Sequence, residues 1–284
     1  MGSNPVKTDP LPQANGDMVP AMPDLADGEP AAGLHRRDAL KIIAIAPGML
    51  AAGALTLSLC NEAKAAADIS GMSVFLDPGH SGANDDSLFQ QVPNGRGGTK
   101  DCQTTGTATG DGYPEHSFNF DVVQQINAQL LALGVRTKLS RYTDDAVGPC
   151  VNTRAEMANE FHPDAVISVH ADGAAPSGHG FHVNYSAPPL NDAQRGPAMT
   201  LASIMRDSLI AAGLQPSNYR GTDGLFGRDD LAGLNFAQYP SILIECGNMK
   251  NPAEAASMES PAGRARYANA ITQGIVAYLT ATKG

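Results

Sequence analysis

The sequence carries little positive charge and contains no run of basic residues. Lys and Arg together number 19 against 29 Asp and Glu, which gives a formal net charge of −10 at pH 7. Binding to nucleic acid depends on neutralising phosphates with Lys and Arg, so this balance argues against a nucleic-acid partner. The same shortage removes the electrostatic basis for binding an anionic lipid surface.

Several short motifs are also missing. No paired Cys-x-x-Cys sequences are present, which excludes a common type of zinc finger. There is no His-Glu-x-x-His, and no Gly-x-Gly-x-x-Gly follows the first predicted strand, which argues against a dinucleotide-binding Rossmann domain. The sequence shows no internal repeat and no second Gly/Ser linker, so we expect one catalytic or binding domain without an appended module.

The first part of the chain is predicted to precede the folded domain. Residues 1–34 are rich in Pro, Gly, Ala and Asp and almost lack large apolar residues, so we expect them to be disordered. Residues 35–67 combine a basic start, an apolar stretch and a small-residue ending, as in an export signal. The adjacent Arg36 and Arg37 resemble a twin-arginine signal.

Two other interpretations of this segment remain open. The apolar stretch 42–59 is long enough for a membrane anchor, but Pro47 and Gly53 interrupt it. Cys60 suggests a lipoprotein, although the preceding Leu59 is bulky where a small residue is usual. We therefore expect an exported protein, in the periplasm or cell envelope or secreted, with no stable membrane anchor.

The remaining residues, 68–284, are predicted to form one α/β domain. Strand-like and helix-like segments alternate, which is typical of a mainly parallel twisted sheet, here of about six strands, with helices on both faces. The predicted strands are 73–77, 135–140, 165–169, 180–185 and 241–245. The predicted helices are 115–133, 152–161 with an Asn cap, 192–212 and 263–281. Residues 83–112 and 214–239 are irregular, with a hairpin possible at 104–112, and we expect both segments to flank the functional site.

Polar residues stand where three apolar strands end. His80, His170 and Glu245 occupy these positions, and open α/β sheets place their chemistry beyond the carboxyl ends of the strands. Glu115 stands at the start of the predicted helix between the first two. Two His and one Glu are a ligand set of hydrolytic zinc sites. The residue pattern alone leaves open whether these side chains bind a metal and which glutamate is the ligand.

Five separated blocks of the sequence resemble the zinc-dependent N-acetylmuramoyl-L-alanine amidases of the amidase-3 type. The resemblance covers about residues 73–282. The blocks are Leu-Asp-Pro-Gly-His-Ser-Gly at 76–82, Glu115 with Asn119, Arg154 with Ala158 and Asn159, Ile-Ser-Val-His-Ala-Asp at 167–172, and Ile244-Glu245 with Asn248 and Asn251.

This resemblance implies an enzyme that cuts the amide bond between N-acetylmuramic acid and L-alanine in peptidoglycan. It implies that His80, Glu115 and His170 bind Zn²⁺ and that Glu245 is the catalytic glutamate, accepting a proton from the attacking water. The chain departs from the family pattern in the insertion 83–112. We expect a peptidoglycan or muropeptide substrate and a monomer.

Two alternative functions stay open at this stage. A zinc carboxypeptidase acting on peptidoglycan stem peptides would use the same ligand types, but it would need a cationic group for the terminal carboxylate. A non-catalytic peptidoglycan-binding module would not need a base, and Glu245 in its motif argues against one.

The cysteines agree with export. Cys102 lies in the insertion and Cys150 in a Gly-Pro-Cys turn, so in an oxidising compartment we predict a disulfide between them. Such a bridge would stabilise the fold by roughly 4 kcal/mol in the chain-entropy model. Cys246 follows Glu245 on an apolar strand and is predicted to be a buried, unreactive side chain.

Other polar residues have competing interpretations. Asp77 is either an acceptor that orients a ligand imidazole or a turn former before Pro78. Arg154 is predicted to form a salt bridge inside the fold. His116 is predicted to point away from the site, and His179 and His182 to have satisfied structural roles.

Overall fold

The computed structural model describes residues 69–283. The predicted disordered segment 1–34, the predicted export signal 35–67 and Cys60 lie outside the described residues. No helix within 69–283 has both the length and the apolar character needed to cross a membrane.

A six-stranded sheet forms the centre of the domain. Its strands are β1 Ser73–Pro78, β4 Arg136–Leu139, β5 Ala165–Asp172, β6 His182–Ser186, β7 Leu225–Arg228 and β8 Ser241–Asn248. They run in the order β4-β1-β5-β8-β6-β7. All neighbours are parallel except β6 and β8, which are antiparallel. The predicted α/β fold with a mainly parallel sheet is therefore confirmed.

Helices cover both faces of this sheet. They are α1 Glu115–Ala132, α2 Val151–Phe161, α3 Asp192–Arg195, α4 Pro197–Ala211, α5 Ala232–Asn235, α6 Pro252–Glu259 and α7 Pro261–Thr282. The insertion adds a 3-10 turn, Asp86–Phe89, and a two-stranded antiparallel hairpin of β2 Gln91–Pro93 and β3 Thr99–Asp101.

The alternation of side chains gives the sheet two unlike faces. On the packed face, apolar strand side chains are buried against α1, α4 and α7; these strand residues are Val74, Leu76, Ile167, Val169, Val183, Ile242 and Ile244. The register places a second set together on the open face, namely Phe75, Asp77, Val166, Ser168, His170, Leu243 and Glu245. Helices α2 and α5 and the two irregular segments cover part of this face.

The structure corrects several predicted boundaries. The single helix predicted at 192–212 is two helices, α3 and α4, because Pro197 has no N–H to continue the first and instead begins the second. Helix α6 was not predicted; Pro252 opens it, and the Asn251 side chain accepts from the N–H groups of Ala253 and Glu254. The predicted Asn cap of α2 is wrong, since the helix begins earlier and Cys150 is its cap residue.

The hairpin in the insertion also differs from the prediction. It lies at 91–101, whereas residues 104–112 contribute only an isolated bridge between Ala108 and Pro114. The structure joins Cys102 to Cys150, with their Cα atoms 4.5 Å apart. Cys246 is a free, buried thiol, as predicted.

Candidate metal centre

Three of the predicted site residues come together at the carboxyl ends of the strands. His80 lies two residues beyond β1, Glu115 is the first residue of α1, and His170 lies on β5. Each offers one ligand atom, and these atoms all lie within 4.8 Å of one another. Two imidazole nitrogens and a carboxylate oxygen at this spacing can hold one divalent metal ion.

The backbone around His80 is shaped for this arrangement. His80 has φ of +62°, a left-handed conformation that non-glycine residues adopt rarely and at some cost. The guanidinium of Arg154 holds it there by donating from Nη2 to the carbonyl oxygen of His80 at 2.6 Å. At Gly79 a Cβ atom would overlap the ring of His170, so only glycine lets the two histidines approach.

Glu115 lies at the centre of the cluster. Its Oε1 is 3.0 Å from Nε2 of His80 and 3.0 Å from Nδ1 of His170, and it accepts from the backbone N–H of Ala171 at 3.1 Å. Its Oε2 accepts from the backbone N–H of Thr107 at 3.0 Å. Burial raises the pKa of Glu115, but the two imidazoles lower it by more, so its net pKa lies well below the usual range.

The two imidazoles differ in their electrostatic balance. Burial lowers the pKa of His80, but the Glu115 carboxylate outweighs burial and the net pKa is raised. For His170, burial is the larger effect and the net pKa is lowered. The electrostatics thus favour an ionised Glu115 and a neutral His170, which are the forms in which these side chains bind a cation.

Glu245 lies beside this cluster on the open face. It is paired in register with His170 on one side and with His182 on the other. Its Oε2 is buried without a hydrogen-bond partner. Burial raises the pKa of Glu245 well above the usual value, and the nearby carboxylates of Glu115 and Asp172 raise it further, while Arg228 lowers it. An unpartnered carboxyl with a raised pKa is suited to taking up a proton.

Asp77 has a different role from the one considered first. Among the described residues its carboxylate accepts hydrogen bonds from Arg154 Nη1 at 2.8 Å and from the hydroxyls of Ser140 and Ser168, and from no imidazole. Burial raises the pKa of Asp77, but Arg154 and the two hydroxyls lower it to about 2 overall. The predicted internal salt bridge of Arg154 is confirmed, and through it Asp77 supports the turn that carries His80.

Two further histidines lie near the cluster. His116 pairs with Asp144 at 2.9 Å, away from the three candidate ligands, as predicted. The satisfied role predicted for His182 is wrong: its Nδ1 is buried without a partner, and burial lowers its pKa to about 4. Its ring packs edge-on against Tyr219 and Phe226.

A cavity of about 140 Å³ opens beside the candidate ligands. It lies between the open face and helices α2 and α5, and its lining is mainly apolar. Both irregular segments contribute to it, including Gln103 and Thr104 from the insertion and Leu231 and Leu234 from the second segment. Both segments thus line the cavity beside the candidate ligands.

Sequence reasoning could not find the backbone groups that hold the cluster. The carbonyl oxygen of Thr104 lies 2.8 Å from Nδ1 of His80, and the N–H of Thr107 binds Glu115. Every residue has these groups, so only the folded path of the insertion reveals their use.

The sequence is similar to those of known amidases over most of the described residues. Residues 74–277 match the family model described as Amidase_3, N-acetylmuramoyl-L-alanine amidase. The chain is 58% identical over 237 residues to N-acetylmuramoyl-L-alanine amidase Rv3717 of Mycobacterium tuberculosis, covering 84% of this chain and 98% of the relative.

Solved structures agree with the family match. The fold is similar to that of the N-acetylmuramyl-L-alanine amidase Ami1 of Mycobacterium smegmatis, with 59% identity and a TM-score of 0.75 over 75% of this chain and 99% of that one. It also resembles the amidase AmiC2 of Nostoc punctiforme, with 24% identity and a TM-score of 0.56. This match covers 74% of this chain and 98% of that one. At that identity the second likeness shows the fold alone.

Proposed function

The chain belongs to the amidase-3 family of N-acetylmuramoyl-L-alanine amidases, and on that premise we propose that it hydrolyses the amide bond between N-acetylmuramic acid and L-alanine in peptidoglycan, using zinc. The amidase relative that it matches at 58% identity is covered over 98% of its length, which supports the reaction type. The observation that carries the zinc proposal is the convergence of His80, Glu115 and His170, with Glu245 beside them.

The donor set fits zinc. In this proposal His80, Glu115 and His170 are its ligands, and three N and O ligands with one open position are typical of catalytic zinc sites. Bound there, zinc would lower the pKa of a coordinated water to about 7 and offset the negative charge that develops on the amide oxygen. The low pKa of Glu115 favours this use, because a ligand carboxylate must be ionised.

Glu245 is the proposed general base. It lies next to His170 across β5 and β8, and its buried, unpartnered Oε2 has no competing hydrogen bond to give up. It would accept a proton from the attacking water and deliver it to the nitrogen of the leaving alanine. Its raised pKa favours the uptake of a proton, which is the first of these two steps.

The arginines that contact the cluster are not available to a carboxypeptidase substrate. Such an enzyme needs a cation for the terminal carboxylate of its substrate. Among the described residues around the cluster, Arg154 is committed to Asp77 and to backbone carbonyls, and Arg141 is committed to Asp144 and to the turn at Gly79. Lys100, at the cavity, donates to the carbonyl oxygen of Asp230.

The proposed setting is the cell envelope. Peptidoglycan lies outside the cytoplasmic membrane, and the Cys102–Cys150 bridge is typical of an oxidising compartment. We propose that residues 35–67, which follow the N-terminal segment 1–34, are an export signal and that 68–284 are the catalytic domain, acting on peptidoglycan or muropeptides as a monomer.

Digestion of a purified muropeptide tests the reaction directly. We expect a free lactyl carboxyl group and a peptide with a new N-terminal L-alanine, both identified by mass spectrometry. Chelation should abolish the reaction and added zinc should restore it. His80→Ala and His170→Ala should lose zinc, whereas His116→Ala, next to Glu115 but bonded to Asp144, should keep it. Release of D-alanine would identify a carboxypeptidase instead, and full activity in the chelated enzyme would reject zinc.

A further inference from the structure

Residues 103–107 form a short segment that contacts two of the proposed metal ligands through its backbone. The carbonyl oxygen of Thr104 lies 2.8 Å from Nδ1 of His80. A carbonyl can only accept, so Nδ1 carries the proton and Nε2, which faces Glu115 at 3.0 Å, is the nitrogen available to a metal. The N–H of Thr107 donates to Oε2 of Glu115 at 3.0 Å.

Gly106 lets this segment lie directly against both ligands. Its φ is +78°, and a Cβ atom there would lie 2.9 Å from Cδ2 of His80 and 3.0 Å from Oε2 of Glu115. These distances are too short for an ordinary carbon contact, so any side chain at Gly106 must displace the ligands or the segment.

The disulfide fixes where this segment lies. Cys102 immediately precedes it and is buried, and Cys150 is the cap residue of α2. The backbone N–H of Val151 also donates to the carbonyl oxygen of Cys102 at 2.8 Å. The bridge therefore ties residues 103–107 to the start of helix α2.

Helix α2 also holds His80, through its backbone. Its Arg154 donates to the carbonyl oxygen of His80 at 2.6 Å and to that of Pro78 at 2.9 Å. One element thus binds the imidazole of His80 and another binds its backbone, and the disulfide links the two elements. An imidazole whose second nitrogen is held in this way is oriented for binding a metal through the first.

We infer that the Cys102–Cys150 disulfide and the segment 103–107 are positioning elements of the metal centre, so that zinc affinity depends on the bridge and on the absence of a side chain at Gly106. This inference rests on the proposed zinc function. It assigns to the disulfide a role in metal binding in addition to its stabilisation of the fold.

The first test measures the dissociation constant for zinc by competition with a chromophoric chelator. Loss of a group that orients a ligand typically weakens metal binding 10- to 100-fold. We expect a loss of that size for the double variant Cys102→Ser/Cys150→Ser relative to the wild-type chain. An unchanged dissociation constant in a folded double variant would overturn the inference.

The second test keeps the disulfide and compares two glycines. Gly106→Ala and Gly112→Ala both place a side chain at positive φ in the insertion, but only the first meets the ligands; nothing lies within 4 Å of a Cβ at Gly112. We expect both variants to lose thermal stability, Gly106→Ala more because its side chain also clashes, and we expect about a 10-fold weaker zinc affinity only in Gly106→Ala. This pair tests the role of the segment 103–107 even where the serine variant does not fold.

The outcomes separate the inference from the proposed function. Equal zinc affinity in both glycine variants and the wild-type chain would overturn the role of the segment while leaving the zinc enzyme in place. A wild-type chain that binds no zinc would overturn the proposed zinc function and this inference with it.

Discussion

The packed face and the open face of the sheet use the same strands for different purposes. On the packed face, Ile167 and Val169 are fully buried among apolar side chains of α1, α4 and α7. On the open face, the alternate residues Ser168 and His170 are paired in register with Asp77 and Glu245 of the neighbouring strands. A strand such as β5 therefore contributes to the core through every second residue and to the candidate site through the others.

The contrast shows how this fold separates stability from chemistry. The strand residues named above for the packed face are all apolar, so none of their side chains needs a hydrogen-bond partner. The open face contains charges that are either paired, as Asp77 with Arg154, or left without a partner, as the Oε2 of Glu245. An unpartnered buried polar group costs stability, and Glu245 places one where the proposed reaction takes place.

Substitutions at neighbouring residues of β5 should show the largest difference between the faces. Ile167→Ala leaves a cavity in the packed face and should lower the free energy of unfolding by about 2 to 5 kcal/mol. Ser168→Ala, on the open face, removes one hydrogen bond to Asp77 and should cost about 1 to 3 kcal/mol. Urea denaturation of both variants measures this, and a larger loss for Ser168→Ala would contradict the comparison.

The paired charge on the open face should appear in the dependence of stability on pH. The pKa of Asp77 is about 2 in the folded chain against an ordinary value of 3.8, so the unfolded chain binds the proton more readily. Its contribution is fully present above about pH 4 and is lost as the pH falls through about 2.

The difference between the folded and the unfolded pKa of Asp77 corresponds to roughly 2 kcal/mol of folding stability. Asp77→Asn should therefore flatten the loss of stability between pH 4 and pH 2, as followed by denaturation at a series of pH values. The comparison with the wild-type chain controls for the other carboxylates, because they titrate in both proteins. Identical slopes in the two proteins would show that Asp77 is not held ionised by Arg154.

The sequence predicted the fold and the position of the candidate site better than it predicted the role of each site residue. Strand alternation and the placement of His80, His170 and Glu245 at strand ends are local patterns, so the fold and the meeting of the candidate site residues could be predicted. Glu115 was identified from its motif. Its ligand role rested on the family resemblance, because residue chemistry alone allowed Glu245 the same role.

The remaining features depend on tertiary structure. Asp77 contacts Arg154 and two serines instead of an imidazole, and nothing in its neighbourhood in the sequence shows which partner it chooses. Pro197 divides one predicted helix into two, and Asn251 and Pro252 begin the separate helix α6. The spacing of apolar residues does not show these starts, because they depend on the capping residue and on proline. The backbone groups of the insertion carry no sequence signal at all.

The most direct test of the central claim measures zinc content and turnover for the two glutamates in parallel. Glu245→Gln should retain about one zinc ion per chain, because the three proposed ligands remain, and should lose roughly 10² to 10⁴ in turnover on a muropeptide. Glu115→Gln should lose zinc, because a charged ligand is removed. A zinc-free Glu245→Gln beside a fully loaded Glu115→Gln would contradict the account and exchange the two roles.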